Sequence, residues 1–364
     1  MAHESQERYS SLVLAKIRSE NLLKTGVVFN ADYEGSPAAG LVKIPVRDTE
    51  VEVSDYDRAN GIAGKMGSTS YENFVIGKDK AVNEIIDGYE AKTVPDNLVA
   101  DRLDSAGYSL ARQEDTDGAT ALIAGSTKTG VEQLTIANIY SVILSVREAM
   151  SKANIPDDNK RYILVKPEVY TLLLKCPEFI QASKLGEQFF RDGIVGRIAS
   201  FNVIEWNDST VGLSMIAGHP RFATRAEGFK VPVKLQDISG SGKYIGATAV
   251  QGRMVYDHKV LRSVAIRSVY SPAAVNATAA AGTSGKTKIT VTADDGNTLA
   301  YKLNPSSRIT YGATSTEYGG TALTSGTAAS ISASEGDIIE VAEFGSDGCV
   351  KAGYVYLRAS DIGA

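Results

Sequence analysis

The chain is poor in the residues that build metal centres and covalent staples: two cysteines, three histidines and one tryptophan among 364 residues. Cys176 and Cys349 lie in stretches of different character, so no disulfide framework is expected and a reducing compartment suits the chain. His3, His219 and His258 are scattered, with no Cys or carboxylate at metal-ligand spacing. No metal ligand is assigned, and each imidazole is expected at the surface or satisfied locally. Apolar runs are short as well. Nowhere do about eighteen apolar residues follow one another, so no membrane-spanning helix is expected. Residues 1–26 carry Glu4, Glu7, Arg8, Lys16, Arg18, Glu20 and Lys24 and do not read as a signal peptide. A surplus of positive charge is also missing. Lys and Arg number 38 against 43 Asp and Glu; up to Tyr270 the balance is 32 to 34, and after it 6 to 9. A protein that grips nucleic acid by its phosphates concentrates Lys and Arg on one face, and no such run occurs.

Local signatures of catalysis are absent too. "AAAGTSGKT" ends like a phosphate-binding loop at Gly285, Lys286 and Thr287. Ala280 stands where its first glycine is needed, and a strand pattern follows instead of the helix whose N-terminus faces the phosphates. "SGSGKYIG" fails likewise, with Tyr244 at the hydroxyl position and Asp237 in place of the first glycine. In "QEDTDG", Gln113 replaces the first carboxylate of a calcium loop and Ala124 the last. There is no Gly-x-Ser-x-Gly elbow. No catalytic residue or cofactor is assigned, and an enzyme is not expected.

What the chain does contain is ordinary globular material, 43% apolar and 22% charged, long enough for two or three domains. "SQERYSSLVLAKIRSENLL" sets Tyr9, Leu12, Val13 and Ile17 at helical spacing among charges. It predicts an amphipathic helix, packed on its own domain or clasping a neighbour. "GLVKIPVRDTEVEVSDY" and "STSYENFVIGKDKAV" alternate partially and are joined by "DRANGIAGKMG", which predicts a long hairpin with Gly61, Gly64 and Gly67 loosening its tip. Val99, Leu103, Ala106 and Leu110 mark one face of a helix over Pro95 to Arg112. A polar interval fills 114–130, and a second helix is predicted from Gln133 to Lys152. "RYILVKPEVYTLLL" reads as a buried strand turning at Pro167 into a short helix. "VGLSMIAGHPRFATRA" reads as a buried strand and a loop, and "VQGRMVYDHKVLRSVAIRSV" as at least one more strand. The class is α+β, too irregular in order for a doubly wound sheet. After Tyr270, "SPAAVNATAAAGTSG" lacks a periodic apolar face and predicts a linker at 271–285. Residues 286–364 alternate between turns such as Asp295-Gly296 and Asp347-Gly348, predicting a small all-β domain able to fold alone.

"RYILVKPEVYTLLL", "GIVGRIASFNVIEW", "MIAGHPRFATRA" and "VQGRMVYDHKVLRSVAI" follow one another behind a glycine-tipped hairpin and a long helix. Together they resemble the major capsid proteins of tailed bacteriophages, which have the Hong Kong ninety-seven fold. The likeness covers residues 1–270 in organisation and is motif-like from about 160 to 266. Ser200 and Asp257 depart from it, standing where many relatives have glycine. The resemblance implies an N-terminal arm at 1–33 and a capsid core at 34–270, with an extended loop at about 48–75, a peripheral domain holding the long helix, and an axial domain. Beyond the linker it implies an added β domain on the outside of the shell, immunoglobulin-like in one reading. Tyr9, Leu12, Val13 and Ile17 of the arm would then meet neighbours, as would Arg58, Gly61, Gly64, Lys65 and Gly67 of the loop. Gly193, Gly196, Phe201, Val203 and Trp206 would build the axial scaffold, the glycines through a tight turn. The implied partners are further copies of the chain in hexamers and pentamers, a separate scaffolding protein, a portal, and double-stranded DNA held by confinement rather than adhesion. The implied place is the virion capsid, assembled in the host bacterial cytoplasm, with no membrane contact. An encapsulin-like nanocompartment shell is the alternative with the same fold; a secreted adhesin would explain the β domain but needs a signal sequence.

Overall fold

The computed structural model describes residues 23, 26–33, 40–46, 51, 53–62, 64, 69–93, 98–177 and 194–363. The predicted N-terminal helix with Tyr9, Leu12, Val13 and Ile17 lies outside them, as do Lys65, Gly67 and Gly193. The chain forms two compact units: the described residues of 1–124 with Pro220–Leu261, and those of Gly125–His219 with Arg262–Ala364.

In the first unit, β1 (Leu41–Val46) pairs antiparallel with β2 (Ser70–Val75), giving the ribbon of the expected hairpin. One face is covered: Ile44 and Phe74 are buried with Ile76 and Ala226, while Leu41, Tyr71 and Val75 face water. The chain then leaves the ribbon, and β3 (Lys78–Ile86) joins a different sheet. After α1 (Gly88–Thr93), α2 runs unbroken from Leu98 to Gly125. The stretch from 114 that its polar composition marks as an interval is therefore helix. Its inward positions Gly118, Ala119 and Leu122 are buried at helical spacing, and two of the three are too small to signal a face in the sequence.

The second unit begins with β4 (Thr127–Gly130) and α3 (Ile139–Lys152), whose stripe of Ile139, Ile143, Val146 and Met150 is buried. The helix starts at Ile139 rather than Gln133 because Asn138 closes the turn before it. Its Oδ1 accepts from the Thr135 N–H at 2.7 Å, and its amide donates to Glu132 Oε1 and the Gln133 carbonyl. β5 (Tyr162–Val165) is buried along its length and turns at Pro167 into α4 (Pro167–Leu174), as the sequence predicts. β6 (Ile194–Ile198), β7 (Phe201–Glu205) and β8 (Leu213–Gly218) follow.

The chain then returns to the first unit. Where a loop is predicted, β9 (Ala223–Asp237) forms a long hairpin with β10 (Thr248–Val260), completing the antiparallel sheet β3-β10-β9. Ala106 and Leu110 of α2 are buried against Val250, Met254 and Tyr256 of β10. Back in the second unit, β11 (Arg267–Tyr270) closes the six-stranded sheet β4-β11-β8-β5-β7-β6.

The remaining strands are β12 (Ala273–Ala274), β13 (Ala277–Ala281), β14 (Lys286–Val291), β15 (Thr298–Leu303), β16 (Thr321–Leu323), β17 (Ala329–Ser332), β18 (Ile338–Gly345) and β19 (Gly348–Tyr356), with the short helix α5 (Ser315–Tyr318) before β16. They make two sheets, β12-β19-β18-β15-β16 and β13-β14-β17, around a core of Ile289, Val291, Leu299, Ile331, Ile339, Val341 and Leu357. Residues 271–285 are therefore not the linker that their composition predicts. β12 pairs with β19 and β13 with β14. Ala277 and Ala279 pack on the core, but methyl groups alternating with alanine and threonine leave no visible apolar period.

Nor does this β region stand apart from the second unit. The Tyr311 N–H donates to the Val131 carbonyl at 2.9 Å, Thr310 bridges to Glu132, and the Tyr311 ring stacks on Tyr270 at 5.3 Å. Two glycines make the room: a Cβ at Gly212 would lie 2.1 Å from the Tyr311 ring, and one at Gly130 would lie 2.2 Å from its carbonyl oxygen. Tyr311→Ala is expected to cost about 2 kcal/mol in denaturant unfolding. Hydrogen exchange should speed up in β4 and residues 131–134 of that variant. Unchanged exchange there would mean that the ring does not hold the β region in place.

Candidate functional site

The buried ionisable groups have structural partners. Glu343 accepts from the Asp294 N–H at 3.0 Å and the Asn297 amide at 2.7 Å, and lies 3.5 Å from Lys351 Nζ. Glu340 accepts from the Ile309 N–H at 2.9 Å. The Cys349 thiol is pushed up to about 12 by burial and then by these two carboxylates, so it is no nucleophile near neutral pH. His219 bonds Asp158 at 2.9 Å. His258 departs from the expectation of a satisfied imidazole, because its Nδ1 is buried with no hydrogen-bond partner. Among the described residues, no group of three or more His, Cys, Asp or Glu is placed to hold a metal, and no helix is long and apolar enough to cross a membrane.

What the first unit leaves uncovered is apolar surface on the loop between β1 and β2. Val51 is 91% exposed, Val53 95%, Tyr56 72% and Ile62 51%. Single exposed apolar residues are ordinary, but four fall within this one loop, beside the exposed Leu41, Tyr71 and Val75 of the ribbon. In the sequence they alternate with Glu50, Glu52, Asp55 and Asp57. Of the predicted loop residues, Arg58, Gly61 and Gly64 are described here. The Gly61 N–H donates to the Asp57 carbonyl at 2.8 Å, while the Asp57 carboxylate accepts from the Ala59 N–H and the Asn60 amide. The loop therefore carries a small ordered turn rather than a slack tip. The glycines and Arg58 stand out in the sequence, whereas the structure exposes Val51, Val53 and Tyr56 of "EVEVSDY".

A second apolar feature of this unit is a groove of about 330 Å³ lined by Gly40, Ile76, Gly228, Phe229, Arg253 and Val255. Arg253 is fixed there by a two-point contact with Asp79, its Nε donating to Oδ1 at 2.9 Å, and its guanidinium lies 5.7 Å over the Phe229 ring. The hydrogen bond from Arg253 holds the Asp79 carboxyl below its usual range.

In the second unit, Phe201 and Val203 on β7 are fully buried and Trp206 nearly so. Gly196 sits within β6, at a register shift opposite β7, and does not form the turn. Ala199 and Ser200 do, with φ of +46° and +71° between the paired residues Ile198 and Phe201. Positive φ at both positions of a two-residue hairpin is the geometry that favours Asn-Gly. Side chains with a Cβ are strained there by about 1 kcal/mol each. Ser200→Gly should therefore stabilise the protein by up to about 1 kcal/mol, read as a higher denaturant midpoint. A lower midpoint would mean that the Ser200 side chain contributes more than its backbone costs.

The phage capsid protein family matches residues 89–269. Among curated proteins none matches. Among solved structures, a chain of Mycobacterium phage Che8 is 20% identical with a TM-score of 0.60, covering 72% of this chain and 96% of that one. The capsid of cyanophage P-SCSP1u gives 13% identity and a TM-score of 0.59 over 73% of this chain and 92% of its own. Gordonia phage Cozz gives 14% and 0.55 over 74% and 91%. The identities are low enough to speak for fold alone, and the family match spans α2, the six-stranded sheet and the β9–β10 hairpin. The family match over residues 89–269 and the shared fold together support a phage capsid protein.

Proposed function

We propose that the chain tiles as hexamers and pentamers into the closed icosahedral head shell of a tailed phage, with double-stranded DNA packaged inside. The observation that carries this reading is the exposed apolar loop, since Val51, Val53, Tyr56 and Ile62 are left uncovered by the described residues of their own subunit. A neighbouring copy supplies the cover, and the Phe229 groove offers apolar surface of matching character. Burying a valine side chain is worth about 2 kcal/mol, and many such contacts sum around a closed shell. The arm at 1–33 acts with the loop, and Phe201, Val203 and Trp206 keep the axial strands rigid at the centres of the rings. A separate scaffolding protein and a portal belong to this reading, as does assembly in the host cytoplasm. The subunit works by assembly and not by catalysis. DNA is confined rather than gripped, consistent with a formal net charge of −5. The β region after Tyr270, with 6 basic and 9 acidic residues, suits the outer face, away from packed phosphate.

The double variant Val51→Asp and Val53→Asp tests the loop. It should keep the far-UV spectrum of the wild type but remain as unassembled subunits in size-exclusion chromatography and negative-stain microscopy, under conditions where the wild type closes particles. Normal particles from the double variant would remove the loop from the contacts.

A further inference from the structure

We infer that the base of the arm, residues 26–30, is a latch that acid opens through His258. The segment is anchored by backbone bonds: the Asn30 N–H donates to the Ala223 carbonyl at 2.9 Å and the Arg225 N–H to the Asn30 carbonyl at 2.9 Å. The Asn30 amide adds bonds to the Pro220 and Arg221 carbonyls, each at 3.0 Å. Val28 and Phe29 are completely buried.

Phe29 is seated on the imidazole. Its ring centroid is 4.7 Å from that of His258, and the pair is pressed against the helix at Gly118, where a Cβ would come within 3.1 Å of the Phe29 ring and 3.3 Å of His258 Nε2. Tyr256 meets the imidazole edge-on at 5.7 Å. The charged groups facing it are Arg225 from β9, Lys78 from β3 and Asp117 from α2. Each is already engaged. Asp117 accepts from the Tyr256 hydroxyl at 2.9 Å and pairs with Lys78 at 3.4 Å, and Arg225 pairs with Glu114 of α2 at 2.5 Å and with Glu227 at 3.2 Å. Asp257 faces elsewhere, accepting from the Gly77 and His258 N–H groups.

A second proton on this ring would find no acceptor at Nδ1 and two cations nearby. Burial first, then Arg225 and Lys78, depress the imidazole to about 4 from an ordinary 6.5. A depressed histidine favours the closed form above pH 6.5, and that preference is lost as pH falls from 6.5 through 4. Relief requires the ring to reach water. β3, β9, β10 and α2 are held to one another by the sheet ladder, the buried cluster and the ion pairs, so the cover that can lift is Phe29 with its short segment. At pH 4.5 the closed-to-open ratio should fall on the order of 50- to 100-fold relative to pH 7.5.

In the assembly reading the residues before this latch reach a neighbour. The latch itself is read on unassembled subunits, so it can fail while that reading stands, and the reverse. The test is hydrogen exchange by mass spectrometry on the full chain between pH 7.5 and 4, corrected for intrinsic rates. Wild-type peptides covering 26–33 and 223–226 should lose protection by that factor while α3 holds, and His258→Gln should retain protection at 26–33 down to pH 4.5. Loss in the variant at the wild-type midpoint would assign the opening to another group and overturn the inference. Should the variant already lack protection at pH 7.5, the imidazole resonances of wild-type His258 decide. Their titration must coincide with the opening midpoint, and a separate midpoint overturns the latch.

Discussion

The first unit depends on how closely α2 can lie on the sheet β3-β10-β9. Gly118 sets that distance, for any side chain there would press on Phe29 and His258. A glycine in mid-helix costs about 1 kcal/mol of helix propensity, so its place in a 28-residue helix is explained by packing and not by local preference. Around this contact the polar rim falls into register: Lys78 with Asp117, Glu84 with Arg102, and Glu114 with Arg225. Burial at this seam raises the Glu114 carboxyl even beside its arginine. The seam also seats the Phe29 segment, while the β1–β2 ribbon that carries the exposed loop packs through Ile44, Phe74 and Ile76 onto Ala226 of β9.

In the second unit the same logic works again, with a tyrosine inserted where two glycines leave the room. Tyr311 fills the space left by Gly130 and Gly212 and stacks on Tyr270, the last residue of the six-stranded sheet. The β region after Tyr270 is thereby built into the subunit, and strand begins at Ala273 rather than after a tether. A region fixed in this way presents the same face on every copy of a shell, which a flexible tether would not do.

How much of this could be read from the sequence varied with how each residue signals. β5, its turn at Pro167, α4 and the Asp-Gly turns were legible because buried apolar runs and turn residues follow local rules. The end of α2 was not, since Gly118 and Ala119 fill inward positions without registering as apolar. β13 escaped for the same reason, its inward positions being alanines. The start of α3 depended on the Asn138 side chain, whose bonds to Thr135, Glu132 and Gln133 have no periodic trace. For the candidate surface, alternation around "DRANGIAGKMG" predicts the hairpin, but a reading of its glycines passes over the exposed Val51, Val53, Tyr56 and Ile62. Exposure is a property of the fold, and alternation alone does not reveal which face stays open.

The central claim is that the loop between β1 and β2 is completed only by another copy of the chain. Cryo-electron microscopy of assembled wild-type particles, at a resolution that traces side chains, tests it most directly. The account predicts Val51, Val53 and Tyr56 in continuous contact with a neighbouring subunit around each ring. Particles in which these residues project into solvent, or fold back onto their own subunit, would contradict it.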